Sequence, residues 1–168
     1  MIEHLKLDIY KKYEDYHRLR GHSDKGCGCR IPRPQPSDFA VIFFNGMNSG
    51  TFLDVGACDG IRWSNTLTLE EGYGWSGICV EPHPKSYEEL TKHRNAECLN
   101  IGLSDESSSL VFCMIDGWAD TISGFTKFYC ENHQQRVKEE TKRNKDTVSY
   151  INIESKKISE ILEERDVC

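Results

Sequence analysis

Residues 50–60 read Gly-Thr-Phe-Leu-Asp-Val-Gly-Ala-Cys-Asp-Gly, and this stretch decides the fold. Residues 51–55 form a short apolar run with β-branched side chains, which predicts a buried strand. Gly56 and Gly60 follow, and glycine lets the backbone turn tightly and approach a ligand closely. A second apolar strand, predicted at 76–81, ends on an acid. Because ligands bind at the carboxyl ends of strands in open α/β sheets, the pattern predicts half of a nucleoside site.

The glycine spacing and the acids around it indicate which nucleoside is bound. A dinucleotide site uses Gly-x-Gly-x-x-Gly, with the pyrophosphate resting on a helix N-terminus. Here the spacing is Gly-x-x-x-Gly, flanked by Asp54 and Asp59, whose carboxylates would repel a pyrophosphate. They suit a positively charged ligand, such as the ammonium and sulfonium of S-adenosylmethionine. The pattern favours this methyl donor over NAD or ATP, and a tight turn without a ligand is the alternative.

Together with later motifs, this segment resembles the FkbM-type methyltransferase family. The matching residues are Phe52 to Gly60, Ser64-Asn65-Thr66, Leu69-Glu70, Gly74-Trp75-Ser76-Gly77, Val80 to Pro84, Tyr87, Leu90, Arg94, and Ile101 to Asp105. The resemblance is close over residues 50–112 and looser over 145–165. It implies an α/β fold, the Rossmann-like class I methyltransferase fold, of which this chain would hold the N-terminal, cofactor-binding half.

The resemblance also implies a site for S-adenosylmethionine. The residues that would surround its methionine part are Asp54, Gly56, Ala57, Asp59 and Gly60. Glu81 would accept hydrogen bonds from both ribose hydroxyls, because a carboxylate accepts without donating. Ser104 and Asp105, at the tip of the third strand, would contact adenine. Asn65 would lie near the cofactor carboxylate, or Ser64 and Asn65 would simply cap the next helix.

Catalysis is less well marked in the sequence than cofactor binding. Methyl transfer is an in-line displacement in which the protein mainly aligns the acceptor, and a hydroxyl acceptor also benefits from a general base. His83 is the best candidate for that base, although a histidine in a His-Pro turn is commonly structural; Asp116 and His133 are further candidates. The resemblance implies methylation of a hydroxyl on a sugar or another small metabolite.

A further expectation concerns the fourth strand of the family's sheet. In the family, a fourth strand lies beside the first and ends in an Asp-containing motif near the methyl-transfer centre, and no counterpart is found here. We therefore expect an open edge on the first strand. The chain would be a fragment, a degenerate gene product, or a half-site completed by a partner chain or by its own copies. Whether it is an active enzyme stays open, and the alternative is a non-catalytic remnant or half-domain that folds with a partner.

Periodicity divides the chain into residues 1–37, a helix and a Pro/Gly-rich connector, and 38–168, the partial Rossmann-like methyltransferase domain. The predicted elements are helices at 2–20, 38–46, 64–72, 84–94 and 156–165, a third strand at 96–101, and an antiparallel pair of strands at 108–115 and 147–153. The charged run at 136–145 indicates a solvated face or a loop.

Composition narrows the class of protein. The 168 residues are 38% hydrophobic and 29% charged, which is typical of one folded globular domain. The formal net charge of −6 argues against nucleic acid as a partner. No apolar run is long enough to span a bilayer, and the N-terminus lacks the apolar core of a signal peptide. These features predict a cytoplasmic protein with no membrane partner.

The eight cysteines do not indicate a disulfide scaffold. Four of them lie in or beside apolar strand segments, where thiols act as small hydrophobes: Cys58, Cys79, Cys98 and Cys113. A reducing compartment suits them. Cys27 and Cys29, near His22, could begin a zinc site, but no second pair follows at zinc-ligand spacing, although Cys130 and His133 lie three apart. A glycine-rich loop is favoured there, so no metal is predicted.

Overall fold

A computed structural model of the chain describes residues 43–165, which form a mixed α/β structure. Its strands are β1 (Thr51–Val55), β2 (Ser76–Val80), β3 (Glu97–Leu99), β4 (Gly102–Leu103), β5 (Ser108–Asp116), β6 (Gly124–Phe125) and β7 (Thr147–Lys156). Its α-helices are α1 (Leu67–Tyr73), α2 (Pro84–His93), α3 (Glu131–Asn144) and α4 (Ile158–Glu163), with 3-10 turns at Asp120–Ile122 and Thr126–Phe128. The predicted helix at 2–20, the connector at 21–37 and most of the helix predicted at 38–46 lie outside the described residues.

The first sheet has the order β1-β2-β3. β2 and β3 run parallel, in a register that sets Cys79 beside Cys98 and Val80 beside Leu99. Within residues 43–165, β1 is therefore an edge strand that pairs with β2 alone. Val55 at its end is 56% exposed.

The second sheet has the order β4-β7-β5-β6. The predicted antiparallel pair is confirmed: β5 and β7 align from Ser108 opposite Ser155 to Asp116 opposite Thr147. The single strand predicted at 96–101 is wrong, because the chain leaves the first sheet after β3 and enters the second at β4, parallel to β7. Asn100 holds this break, since its Nδ2 donates to the carbonyl oxygens of Glu81 and Pro82 at 2.8 and 3.2 Å.

Residues 117–146 form an excursion that leaves β5 and returns to β7. Its base is closed by Asp146, whose carboxylate accepts the backbone N–H groups of Trp118 and Ala119 at 2.9 and 3.0 Å. The excursion contains α3, so the charged run at 136–145 is largely helical and the loop interpretation is wrong. Val137 and Thr141, one turn apart, are the buried residues of this helix, and most of the others are exposed. The run is thus mainly the solvated face of a helix.

Smaller corrections concern helix and strand ends. The helix predicted from residue 64 begins at Leu67, β2 stops one residue before Glu81, and α2 ends at His93. α4 is shorter than predicted. Its two isoleucines differ in exposure, since Ile161 is fully buried and Ile158 is exposed.

The backbone contacts divide the chain into two compact units. In the unit that contains residues 43–52 and 63–77, Trp75 is the central side chain: its Nε1 donates to the carbonyl of Met47 at 2.9 Å, and its ring packs edge-on against Phe44. The other unit contains residues 53–62 and 78–165. It has two hydrophobic clusters, formed by Ile78, Val80 and Ile161 with Leu53 and Leu99, and by Cys113, Ile115, Ala119, Ile122 and Val137.

Candidate cofactor site

The turn that follows β1 is built on left-handed backbone. Gly56, Cys58 and Gly60 have φ angles of +76°, +53° and +80°, a region that costs any residue with a Cβ about 1–2 kcal/mol. The N–H groups of Gly56 and Ala57 both donate to the carbonyl of Val80, at 2.8 and 3.1 Å, which ties the turn to the end of β2. Among residues 43–165, no atom lies within 4 Å of the position that a Cβ on Gly56 would take, so the described part of the chain leaves this space open.

Gly60, at the far end of the turn, is closely packed instead. A Cβ there would lie 2.7 Å from Cγ of Arg94 and 2.9 Å from Cδ1 of Leu90. The buried guanidinium of Arg94 donates to the Gly60 carbonyl at 3.5 Å and lies 3.9 Å from the carboxylate of Asp54, itself buried. Asp54 and Gly60 therefore support the turn from inside the protein.

Asp59 is engaged by its own turn. Its Oδ1 accepts the backbone N–H groups of Ile61 and Arg62 at 2.9 and 2.7 Å, and its Oδ2 accepts Nε of Arg62 at 2.8 Å. Burial acts to raise the pKa of Asp59, but these hydrogen bonds and the Arg62 charge hold it below its usual value. The carboxylate is ionised, and the structure places its charge on the turn.

Glu81 joins the turn to the tip of β2. Its Oε2 accepts the Cys58 N–H and its Oε1 accepts the His83 N–H, both at 2.8 Å, and the residue is only 7% exposed. Burial raises the pKa of Glu81, and the two backbone N–H groups offset this only in part. Since a carboxylate oxygen can accept more than one hydrogen bond, each Glu81 oxygen keeps a lone pair for a ligand.

An acid that the sequence analysis missed, Asp120, reaches the same turn from the 3-10 turn that follows β5. Its Oδ2 accepts a hydrogen bond from Nη2 of Arg62 at 2.7 Å, and the same Nη2 lies 3.3 Å from Sγ of Cys58. Burial acts to lower the pKa of Arg62, but its partners, led by Asp120, raise it overall, so the guanidinium stays charged. The other oxygen of Asp120, Oδ1, is buried and has no hydrogen-bond partner among residues 43–165.

The predicted adenine contacts lie elsewhere than expected. Ser104 and Asp105 follow β4 rather than the tip of the third strand, and the Ser104 N–H donates to the carbonyl of Lys156 at 3.1 Å. The Ser104 hydroxyl donates to Oδ1 of Asp105 at 3.0 Å, and Asp105 is exposed. Their strand assignment is corrected, and their contact with adenine stays a prediction.

Asn65 belongs to the unit of residues 43–52 and 63–77, not to the unit that holds Glu81 and the glycine turn. Its side chain is exposed. The neighbouring Ser64 hydroxyl accepts the backbone N–H groups of Thr66 and Leu67 at 3.3 and 3.1 Å, as a capping residue does at the start of α1. The geometry of Ser64 therefore favours the capping interpretation of this pair.

His83 is buried at the start of α2 and both ring nitrogens have partners. Nδ1 lies 3.4 Å from the Ser86 N–H, and Nε2 lies 3.1 Å from the carbonyl of Ile115. An Nδ1 that accepts leaves the proton on Nε2, which then donates to that carbonyl. This geometry is that of a helix cap.

The two further base candidates are also engaged. Asp116 forms an ion pair with Lys85 at 2.9 Å, and Nε2 of His133 lies 3.2 Å from the carbonyl of Ile122. In the described range, no group of three or more His, Cys, Asp or Glu residues is arranged to hold a metal ion. The same range contains no helix that is long and apolar enough to cross a bilayer. The segment from His22 to Cys29 lies outside it.

The thiols differ in exposure, and this sets an expected order of reaction. Cys79 and Cys113 are buried, Cys58 and Cys98 are half-buried, and Cys130 is exposed, and none of these five forms a disulfide. Burial raises the pKa of Cys58 and Cys113, which lowers their thiolate fraction. Brief alkylation of the native chain, read by mass spectrometry, should label Cys130 well before Cys79 and Cys113. A fully denatured sample, in which all thiols react, is the control, and a disulfide between strand cysteines would contradict the expectation.

Most of the described chain matches a known protein family. A family model described as the methyltransferase FkbM domain matches residues 54–167, which is more than half of the chain and includes the glycine turn, Glu81 and Asp120. No curated protein and no solved structure matches the chain. The extent of the family match is sufficient to assign membership: this chain belongs to the FkbM methyltransferase domain family.

Proposed function

We propose that this chain binds S-adenosylmethionine and forms the cofactor-binding half of a methyltransferase with a Rossmann-like sheet. The observation that carries the proposal is the position of Glu81, whose two oxygens accept N–H groups from the glycine turn and from the start of α2. This fixes a carboxylate at the carboxyl end of β2, where an α/β sheet binds the ribose of a nucleoside. The family match supports methyl transfer as the chemistry.

The residues present suit this cofactor. Glu81 keeps lone pairs for two ribose hydroxyls. The described residues leave the space in front of Gly56 open, so a ligand can approach the backbone there. Asp59 and Asp120 share the guanidinium of Arg62, and Glu81 adds a third carboxylate on the same turn, which favours a ligand that carries positive charge. When bound, S-adenosylmethionine supplies a methyl group on a cationic sulfur, and the role of the chain is to hold and orient it.

We further propose that the acceptor is a hydroxyl on a sugar or another small metabolite. Because His83, Asp116 and His133 are each engaged by the protein, we propose that the general base comes from outside the described residues. Ser104 and Asp105 remain the candidates for adenine, since the family match covers them. We also propose a cytosolic location without nucleic acid as a partner, which the net charge of −6 and the absence of disulfides among the five described cysteines support.

Titration calorimetry tests cofactor binding. The purified chain should bind S-adenosylhomocysteine, the stable product of the cofactor, and should not bind NAD or ADP at comparable concentrations, because their pyrophosphates meet Asp59, Glu81 and Asp120. Binding of NAD in place of S-adenosylhomocysteine would contradict the proposal.

The second candidate function is a half-domain that folds with a partner chain or with its own copies. The edge position of β1 within the described residues favours it, since an unpaired edge offers backbone donors and acceptors to another strand. A partner that supplied a further strand beside β1 would complete the sheet that a class I methyltransferase requires.

The open edge leads to a prediction about the isolated 168-residue chain. It should be an oligomer or only marginally stable, and it should transfer no methyl group alone, because residues 43–165 provide no strand for one edge of β1. Light scattering after size exclusion, thermal unfolding and a methyl-transfer assay measure the three properties. A monomer that melts cooperatively at an ordinary temperature and turns over S-adenosylmethionine would contradict the prediction.

A pair of variants distinguishes association through the edge of β1 from nonspecific association. Val55→Lys places a charge on β1, which should shift an oligomer toward monomer. Val111→Lys is the matched control, because Val111 is similarly exposed at 46% but lies on β5, which is paired on both sides. Equal effects of the two substitutions would count against β1 as the interface.

A further inference from the structure

The charge around the glycine turn is unbalanced. Asp59 and Asp120 both contact the guanidinium of Arg62, and Glu81 accepts the Cys58 N–H of the same turn. Asp120 and Glu81 are close enough for the charge of Asp120 to contribute to the raised pKa of Glu81, after the larger effect of burial. Glu81, which follows β2, and Asp120, in the 3-10 turn after β5, are therefore near enough to influence each other electrostatically.

Only one of the two carboxylate oxygens of Asp120 has a hydrogen-bond partner among the described residues. Its Oδ2 has the Arg62 guanidinium, but its Oδ1 is buried without a hydrogen-bond partner in the described part of the chain. Native proteins pair the great majority of their buried polar atoms, so a carboxylate oxygen without a protein partner needs a donor from a water molecule or from a ligand. That donor must reach the end of the turn where Arg62 lies.

The acid that the sequence analysis assigned to a cationic ligand is not available for this role. Both oxygens of Asp59 are taken by Ile61 and Arg62 of its own turn. The oxygens of Glu81 are joined to the turn and to α2 and suit the ribose. Asp120 is the remaining acid of the group, and it has a vacant acceptor.

We propose that Asp120 is a second acidic contact of the cofactor, and that its free Oδ1 accepts a hydrogen bond from the α-ammonium of the methionine part. The proposal rests on the proposed function. It follows from the position of Arg62 between Asp120 and Asp59, because Asp59 belongs to the turn expected to surround the methionine part. An ammonium donor would satisfy the vacant oxygen and reduce the excess negative charge together.

Calorimetry with two ligands tests this contact on the full chain. One ligand is S-adenosylhomocysteine, and the other is its desamino analogue, which lacks only the ammonium group. The unchanged chain should bind the first about tenfold to a hundredfold more tightly, as expected for loss of a charge-assisted hydrogen bond. Asp120→Asn should weaken S-adenosylhomocysteine by a similar factor and leave the analogue unchanged, so that the two ligands bind alike.

Asp116→Asn is the matched control, because Asp116 pairs with Lys85 instead, and it should leave both affinities unchanged. If Asp120→Asn weakens both ligands equally, Asp120 only supports the turn, and the inference is overturned while cofactor binding stands. Equal binding of the two ligands by the unchanged chain overturns it without any variant, which covers the case in which Asp120→Asn does not fold. If the unchanged chain binds neither ligand, the proposed function fails as well.

Discussion

Glu81→Ala should weaken the binding of S-adenosylhomocysteine by roughly tenfold to a hundredfold. The substitution removes a charge-assisted acceptor for the ribose, which contributes on the order of 1.5–3 kcal/mol of binding free energy. It also leaves the N–H groups of Cys58 and His83 without the oxygens that now fix the turn against β2. Calorimetry on the folded variant measures the loss.

Glu89→Ala provides the control for Glu81→Ala. Glu89 lies on the exposed side of α2 and pairs with Lys92, so its loss should not change ligand affinity. Unchanged affinity in a folded Glu81→Ala variant would remove Glu81 from the site. Absence of binding by the unmutated chain would instead favour the half-domain without cofactor.

Gly77→Ala should lower the free energy of unfolding by about 3 kcal/mol. A Cβ at this position in β2 would lie 2.3 Å from the backbone oxygen of Phe52 and 2.5 Å from Cδ2 of its ring, far inside van der Waals contact. Because the nearest atom is a strand carbonyl, it cannot move aside as a flexible side chain would. For a chain of this length the melting temperature should fall by about 6–12 °C.

Gly72→Ala is the matched control for this prediction. Gly72 lies within α1, and the nearest atom to its added Cβ is Cγ2 of Thr68, at an ordinary 3.9 Å. Alanine should therefore stabilise the chain there, by about 0.5–1 kcal/mol, because it is the better helix former. Urea unfolding of both variants measures opposite signs, and a Gly77→Ala variant as stable as the parent would refute the packing argument.

The parts of the fold that could be predicted are those with a local pattern. β1 and β2 are short apolar runs next to glycines, and β5 and β7 alternate in a way that a strand pair requires. The break between β3 and β4 could not be predicted, because it depends on Asn100 reaching the carbonyls of Glu81 and Pro82, which lie far away in the sequence. α3 was missed because a helix with only two buried residues has almost no apolar periodicity.

The same distinction applies to the site. Glu81 could be placed because it directly follows a strand. The hydrogen bonds of Asp59 within its own turn could also be predicted, since an aspartate commonly accepts the N–H groups two and three residues ahead. The sequence analysis assigned its charge to a ligand instead. Asp120 was beyond sequence reasoning, because it lies 58 residues from Arg62. The sequence offers one weak signal: Arg62 follows the turn, and an arginine there can pair with a carboxylate from another part of the chain.

The excursion at residues 117–146 has a consequence for how this domain can change in length. Its ends are held together by the pairing of Asp116 with Thr147 and by the bonds that Asp146 accepts at its base. The entropy of closing a loop rises only with the logarithm of its length, so doubling the excursion would cost about 0.6 kcal/mol. Insertions at exposed positions of the excursion are thus inexpensive and would leave Asp120 beside the turn, whereas deletion of β6 or of Val137 would remove packed residues.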